Sequence, residues 1–245
     1  VSFWRSDGDQ LVAMFGRDAM GEWPVIGGAD PNSFIFTGDR VYARQPGVGL
    51  WFGAIDGTGG GVVLRGGRFE VSASGGGVLA LIDGIAWRHS VVAGAERLGG
   101  DGLTQLRFVP AGATAWHEPT RTIWFLPGPS IGGQMAPVLA NAASSSVLTE
   151  GADAVYVRGQ NGFLRVALPP GADGPVAFDR PLEALSPVHA GLVLARDADD
   201  AFFAVDPATG RSTGWALHTT RIERSGRGTW GAYVCDRGLF VVPLP

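Results

Sequence analysis

Short apolar runs, each closed by a turn rich in glycine, aspartate or asparagine, follow one another along the whole chain. Val155-Tyr-Val-Arg158, the turn Gly159-Gln-Asn-Gly162 and Phe163-Leu-Arg-Val-Ala167 make the clearest case, and this order predicts a β-hairpin. Val193-Leu-Ala-Arg196, Asp197-Ala-Asp-Asp200 and Ala201-Phe-Phe-Ala-Val205 repeat it. The first strand of the hairpin recurs seven times, at Ser2-Phe-Trp-Arg5, Val41-Tyr-Ala-Arg44, Leu79-Ala-Leu-Ile82, Ala115-Trp-His-Glu118, Val155-Tyr-Val-Arg158, Val193-Leu-Ala-Arg196 and Ala232-Tyr-Val-Cys235. Successive starts lie 39, 38, 36, 40, 38 and 39 residues apart. No window carries the 3.6-residue stripe of a long helix.

A period near 38 residues, with strand and turn residues in every unit, is what radially repeated four-stranded sheets produce, so the predicted fold is an all-β β-propeller. Residues 1–245 are expected to form one such domain. In each unit the recurring run is the second strand, and first strands are expected near Phe34, Phe69, Leu106, Ser145, Ser186 and Thr220. The first unit then lacks its first strand and the last lacks its fourth. A seven-bladed ring follows if one further hairpin, supplied before Val1 or by another chain, completes it; the alternative is six blades with the N-terminal strands as closure or flap. The 39 glycines and 16 prolines suit a chain of short strands and tight turns.

One turn carries a more specific signal. Ala204-Val-Asp206-Pro-Ala-Thr209-Gly210, followed by Trp215, resembles the Ala-x-Asp-x-x-Thr-Gly…Trp docking motif of the PQQ-like repeat, within the wider PQQ-like and WD40-like propeller superfamily. Ala54-Ile-Asp56-Gly-Thr58-Gly59 is a contracted copy without the Trp, and Gly16-Arg-Asp-Ala-Met-Gly-Glu-Trp23 keeps the turn and the Trp. The resemblance implies a structural role, in which Asp caps the turn, Gly supplies the backbone angle and Trp covers the seam between blades. It brings no cofactor with it: the quinone-dependent members hold a vicinal disulfide over the quinone, and Cys235 is the only cysteine here. No cofactor is expected.

Charge narrows the partners. There are 19 basic and 23 acidic residues, a net charge of −4, so neither nucleic acid nor an anionic membrane is expected to bind. All 19 basic residues are arginine, a bias most simply set by a GC-rich bacterial genome. The single cysteine excludes an internal disulfide, and no apolar stretch reaches the length of a membrane helix; a reducing, cytoplasmic setting is the expectation.

Searches for reaction chemistry find no constellation. His89, His117, His189 and His218 are isolated in sequence, without metal-ligand spacing, and no G-x-S-x-G nucleophile elbow occurs. Gly57-Thr-Gly-Gly-Gly61 and Gly75-Gly-Gly77 lack the Lys-Ser/Thr of a phosphate loop and read as turns. The repeat itself offers the candidate site. Arg5, Arg44, Arg158 and Arg196 end the second strand in four copies, and Arg121 and Arg237 fall in equivalent loops. Such guanidinium groups can grip carboxylates by paired hydrogen bonds, or each can pair with a nearby Asp and brace its own hairpin. Trp116 and Glu118, close to Arg121 in sequence, have the residue types of an interface hot spot.

Two functions therefore stand. The first is a non-catalytic platform, a scaffold or module of a larger bacterial assembly, that binds another protein with an acidic surface through Arg5, Arg44, Trp116, Glu118, Arg121, Arg158, Arg196 and Arg237. The second is an enzyme or small-ligand binder using residues such as Arg107, His189, Arg221 and Glu223 from first strands. The first is preferred because no positioned base with an electrostatic partner is visible.

Overall fold

The computed structural model describes the backbone of residues 2–7, 10–15, 22–30, 33–56, 58–66, 69–74, 76–150, 154–171, 174–180, 182, 184–185, 193–197, 199, 201–206, 209–218, 221–224, 230–235 and 238–243, and most side chains between Ile26 and Ser212. Among the described residues, every regular element is a strand. The strands are β1 (Ser2–Asp7), β2 (Gln10–Phe15) and β3 (Glu22–Ile26); β4 (Ile35–Thr37), β5 (Arg40–Gln45), β6 (Gly49–Ala54) and β7 (Gly61–Arg65); and β8 (Phe69–Ser74), β9 (Gly77–Ile82), β10 (Ile85–Ser90) and β11 (Gly94–Gly99). They continue with β12 (Leu103–Val109), β13 (Gly112–His117), β14 (Thr122–Pro127) and β15 (Ala136–Leu139), then β16 (Val147–Glu150), β17 (Ala154–Gly159), β18 (Gly162–Ala167) and β19 (Val176–Ala177). Last come β20 (Ala184–Leu185), β21 (Val193–Arg196), β22 (Ala201–Asp206) and β23 (Arg211–His218), with β24 (Arg221–Arg224), β25 (Trp230–Cys235) and β26 (Gly238–Pro243).

Each group is one antiparallel meander whose spatial order is its chain order: among the described residues, five sheets of four strands lie between a three-stranded sheet at either end. Sequential four-stranded meanders of this kind are the sheets of a β-propeller. The seven recurring runs fall on β1, β5, β9, β13, β17, β21 and β25, except that Glu118 lies just past the end of β13. Among the described residues the first sheet holds β1–β3 and the last holds β24–β26. The first strand expected at Ser186–His189 lies outside the described residues, and the strand paired with β21 is Ala184–Leu185.

Burial explains why the second strands were visible in the sequence. β9 is buried at all six positions and β13 at its first five, because both faces are covered by protein. The outer strand β11, by contrast, alternates between partly buried and exposed over Gly94–Arg97. Side chains on a strand point alternately to opposite faces, and β5 shows both faces in use. Val41 and Ala43 pack with Ile26, Ala29 and Trp51 on one side. Tyr42 packs with Leu50, Leu64, Val78, Ala80 and Ile82 on the other. Each fully buried side chain of this size contributes about 1.5–3 kcal/mol.

Contacts divide the chain into two compact units, residues 1–119 with 126–135, and residues 120–125 with 136–245. The first holds the two cores just named. The second holds a core of Leu182, Ala195, Ala201, Phe203 and Val205, with Phe163 and Phe178 packed against it.

The turns carry the special backbone angles. Asp83 and Gly84 join β9 to β10 with φ of 51° and 82°, the two positive values a type I′ hairpin requires. At Gln160-Asn161 the positive φ falls instead on Gly162, at 114°. The turn between β22 and β23 builds its own cap: Thr209 Oγ1 donates to Asp206 Oδ2 at 2.8 Å and Gly210 N donates to Asp206 O at 2.8 Å. Gly210 has φ 70°, and a Cβ there would lie 2.3 Å from the Ala177 carbonyl oxygen, so only glycine fits. Thr58 bonds Asp56 Oδ1 in the same way, by its amide at 2.8 Å and its hydroxyl at 2.6 Å.

Candidate functional site: the second-to-third-strand hairpins

In a four-stranded meander the turn between second and third strands and the connection leaving the fourth strand emerge at the same end. The predicted arginines therefore meet connections between sheets as well as their own turns. Arg44, at the end of β5, shows the consequence. Its Nη2 donates to Asp30 Oδ2 at 2.5 Å, its amide donates to Ser33 Oγ at 2.8 Å, and its carbonyl accepts from Asp30 N at 2.7 Å. Ser33 Oγ in turn donates to Asp30 O at 2.7 Å. The connection from β3 to β4 is thus laced to β5, and the paired acid is Asp30 rather than one in the hairpin.

Arg121 has a similar use in the second unit. Held at φ 49°, it donates from Nε to Ala142 O at 3.1 Å and from Nη2 to Ala143 O at 2.8 Å, while its carbonyl accepts from Ala142 N at 2.8 Å. The same connection reaches Arg158, whose carbonyl accepts from Ala143 N at 2.7 Å. Gln160 Nε2 adds a bond to Asn141 O at 3.0 Å, matching Gln45 Nε2 on Gly27 O at 3.0 Å. These side-chain staples hold loops that carry few ladder bonds of their own.

Arg158 differs in its side chain. It is exposed at the end of β17, and its Cζ stands 6.0 Å from the Phe163 ring centroid. Among the described residues its guanidinium makes no hydrogen bond, so its five donors face water or a partner. Arg196 ends β21, half-buried. The Arg5 backbone lies in β1, with its side chain outside the described residues, and Arg237 lies wholly outside them. Trp116 is buried on β13 and its indole N–H donates to the Glu118 carboxylate, so these two predicted site residues are in contact.

Of the residues weighed for channel chemistry, Arg107 is exposed on β12; Glu70, on the first strand β8, is engaged by backbone. Its carboxylate accepts from Leu106 N at 2.6 Å and Gln105 N at 3.3 Å, where β12 bulges against β13. His189 lies outside the described residues, as do the side chains of Arg221 and Glu223. Among the described residues, no three His, Cys, Asp or Glu side chains come together as metal ligands.

Sequence reasoning missed the connection after β19. Asp179 N donates to Gly210 O at 2.8 Å, and its carboxylate accepts from Ser212 N at 2.8 Å and Ser212 Oγ at 2.7 Å. The Ser212 amide bond, helped by the Ser212 hydroxyl and by Arg180 and Arg211, holds the Asp179 carboxyl below the usual carboxylate range. Arg180 lies 3.9 Å over the Phe203 ring, with Asp197 Oδ2 3.7 Å from its Nη1. The available signal was the repetition of an aspartate in connections entering a new sheet, Asp30 and Asp179, which a search confined to the hairpins passed over.

No family model matches the chain, and no curated protein matches it. Among solved structures, apo AztD from Citrobacter koseri aligns with a TM-score of 0.48 at 10% identity, covering 86% of this chain and 70% of that one. BamB from Moraxella catarrhalis aligns with a TM-score of 0.44 at 16% identity, covering 98% and 77%. Streptogramin B lyase aligns with a TM-score of 0.42 at 10% identity, covering 97% and 88%.

Proposed function

We propose that this chain is a β-propeller module, built from repeats of the PQQ-like kind, that binds an acidic protein partner along the end of its sheets where the second-to-third-strand hairpins emerge. Arg158 is the principal contact. Arg5 and Arg196 share its place in the repeat and Arg237 falls in the equivalent loop; Arg121 holds the connection beside Arg158, and Arg44 holds the one after β3, so each of these connections orders little on binding. Trp116 is buried and offers its ring to no partner; Glu118, exposed and fixed by the Trp116 indole N–H, is the polar group it leaves at the surface. The observation that carries the reading is the exposed Arg158 guanidinium, fixed by an ordered hairpin and left with hydrogen-bonding capacity that no described residue uses.

The test compares wild-type chain with Arg158→Glu. A protein retained by immobilised wild-type chain from an extract of the source cells is identified, purified and titrated directly against both. The charge reversal should weaken binding by roughly tenfold or more, the worth of one charge-assisted hydrogen bond, and wild-type affinity should fall with salt. Binding indifferent to both the reversal and salt overturns the proposal.

A further inference from the structure

A cavity of about 390 Å³ opens beside this hairpin, between the β17–β18 turn and the chain that leaves β19. Gln160, Asn161, Phe163, Phe178, Asp179 and Arg180 stand among its lining residues. Its volume lies within the ~300–1,000 Å³ range of small-molecule sites and far exceeds what one acidic side chain fills.

Both aromatic walls are fixed from behind. Phe163 and Phe178 pack against the Leu182 and Phe203 core, and Phe178 also stacks on Tyr156 with centroids 6.0 Å apart and planes inclined by 28°. The cationic wall is Arg180. It is held against Phe203 at 3.9 Å and lies between two carboxylates, with Asp179 Oδ1 3.8 Å from Nε and Asp197 Oδ2 3.7 Å from Nη1. Those distances give ion pairing but exceed hydrogen-bond reach. Asp179 is already engaged on both oxygens by Ser212, which keeps it from turning toward the guanidinium. Arg180 thus makes no hydrogen bond among the described residues, while its side chain is 39% exposed and lines the cavity. A planar fork with unengaged donors, its Nε buried, lines the cavity together with two aromatic side chains, and this set is complementary to a flat ring that bears a carboxylate.

We infer that this cavity is a binding site for a small aromatic carboxylate, whose ring lies against Phe163 and Phe178 and whose carboxylate takes paired hydrogen bonds from Arg180. The inference goes beyond the protein-partner reading and stands without it, since it concerns a small ligand seated in the cavity rather than a protein surface.

Benzoate is the probe, titrated into the 245-residue chain by calorimetry and by NMR, with benzamide and acetate as controls. Saturable binding should shift the Gly159–Gly162 amides, and each control should bind at least about tenfold more weakly, because one lacks the charge and the other the ring. Arg180→Gln should abolish this binding and Arg180→Lys should restore only part of it, the fork being absent. Because Arg180 also touches Phe203, Ala177→Trp gives a second route: it fills the cavity from the exposed β19 position and should abolish binding with the melting temperature kept. Equal binding of benzoate and benzamide, shifts away from the hairpin, or undiminished binding in folded Ala177→Trp overturns the proposal. So does an absence of benzoate binding in wild-type chain, even where a protein partner is found to depend on Arg180; the cavity then belongs to the protein-docking surface.

Discussion

Tyr42 and His89 place two polar groups in an apolar interior, and their single shared hydrogen bond is what makes that tolerable. The Tyr42 hydroxyl and His89 Nδ1 are 2.7 Å apart, both residues are buried, and the Phe52 ring lies 4.5 Å from Tyr42 and 5.0 Å from His89. Burial raises the Tyr42 phenol far above its ordinary range and lowers His89 below its own, so both stay uncharged near neutral pH. The sign for His89 follows from linkage. The unfolded chain binds the proton more readily than the folded one, so stability is complete above the ordinary histidine value near ~6.5 and is lost as pH falls from there through the lowered folded value. Urea titrations should show this loss in wild-type chain and a shallower slope in His89→Gln. Tyr42→Phe leaves His89 Nδ1 without its partner and should cost about 1–3 kcal/mol at pH 7, measured as a shift of the urea midpoint. An unchanged midpoint would mean that another group replaces the hydroxyl.

At the scale of strands and turns, the arginine positions separate a brace from a contact. Arg44 joins Asp30 and Ser33 across a connection, with side chains 40% and 21% exposed at the ion pair, so screening limits its worth. Arg44→Ala should therefore lower stability by about 1 kcal/mol, whereas Arg158→Ala should leave the melting temperature almost unchanged; thermal melts of the two variants check this. Equal effects would remove the distinction on which Arg158 is assigned to a partner. Sequence showed that these arginines share one repeat position because the second strands, buried on both faces, leave an uninterrupted apolar run that fixes the register. It did not show what each arginine meets. Asp30 lies 14 residues before Arg44, in a connection whose path depends on how β3 packs against β5, and no local spacing encodes that. The cavity at Arg180 was hidden for a similar reason: Arg180, Asp197 and Phe203 are separated in sequence and come together only when β21 and β22 lie beside the chain leaving β19. The Asp206-Thr209-Gly210 turn was legible because its bonds are local, and Thr209 and Asp206 meet as the motif implied.

For the whole molecule, the question is how far cooperativity extends. Within the first unit, β5 buries Val41 and Ala43 against Ile26 and Trp51 on one face and Tyr42 against Leu64 and Val78 on the other, so losing either neighbour uncovers part of the same strand. Within the second, Phe163 and Phe178 pack on the core that holds Ala195 and Phe203. Repeats stabilised in this way by nearest neighbours unfold together when each interface is stronger than the repeat alone. If residues 1–245 are one domain, as proposed from the repeat, scanning calorimetry should give one transition whose calorimetric and van't Hoff enthalpies agree. At ~0.7 kcal/mol per residue near 60 °C, that transition should carry about 170 kcal/mol for 245 residues. Two transitions, each with about half that heat, would show that the compact units dividing near residues 120–136 unfold separately. The single-domain proposal would then give way to two independently cooperative halves, and the partner test would have to be repeated at a temperature where both remain folded.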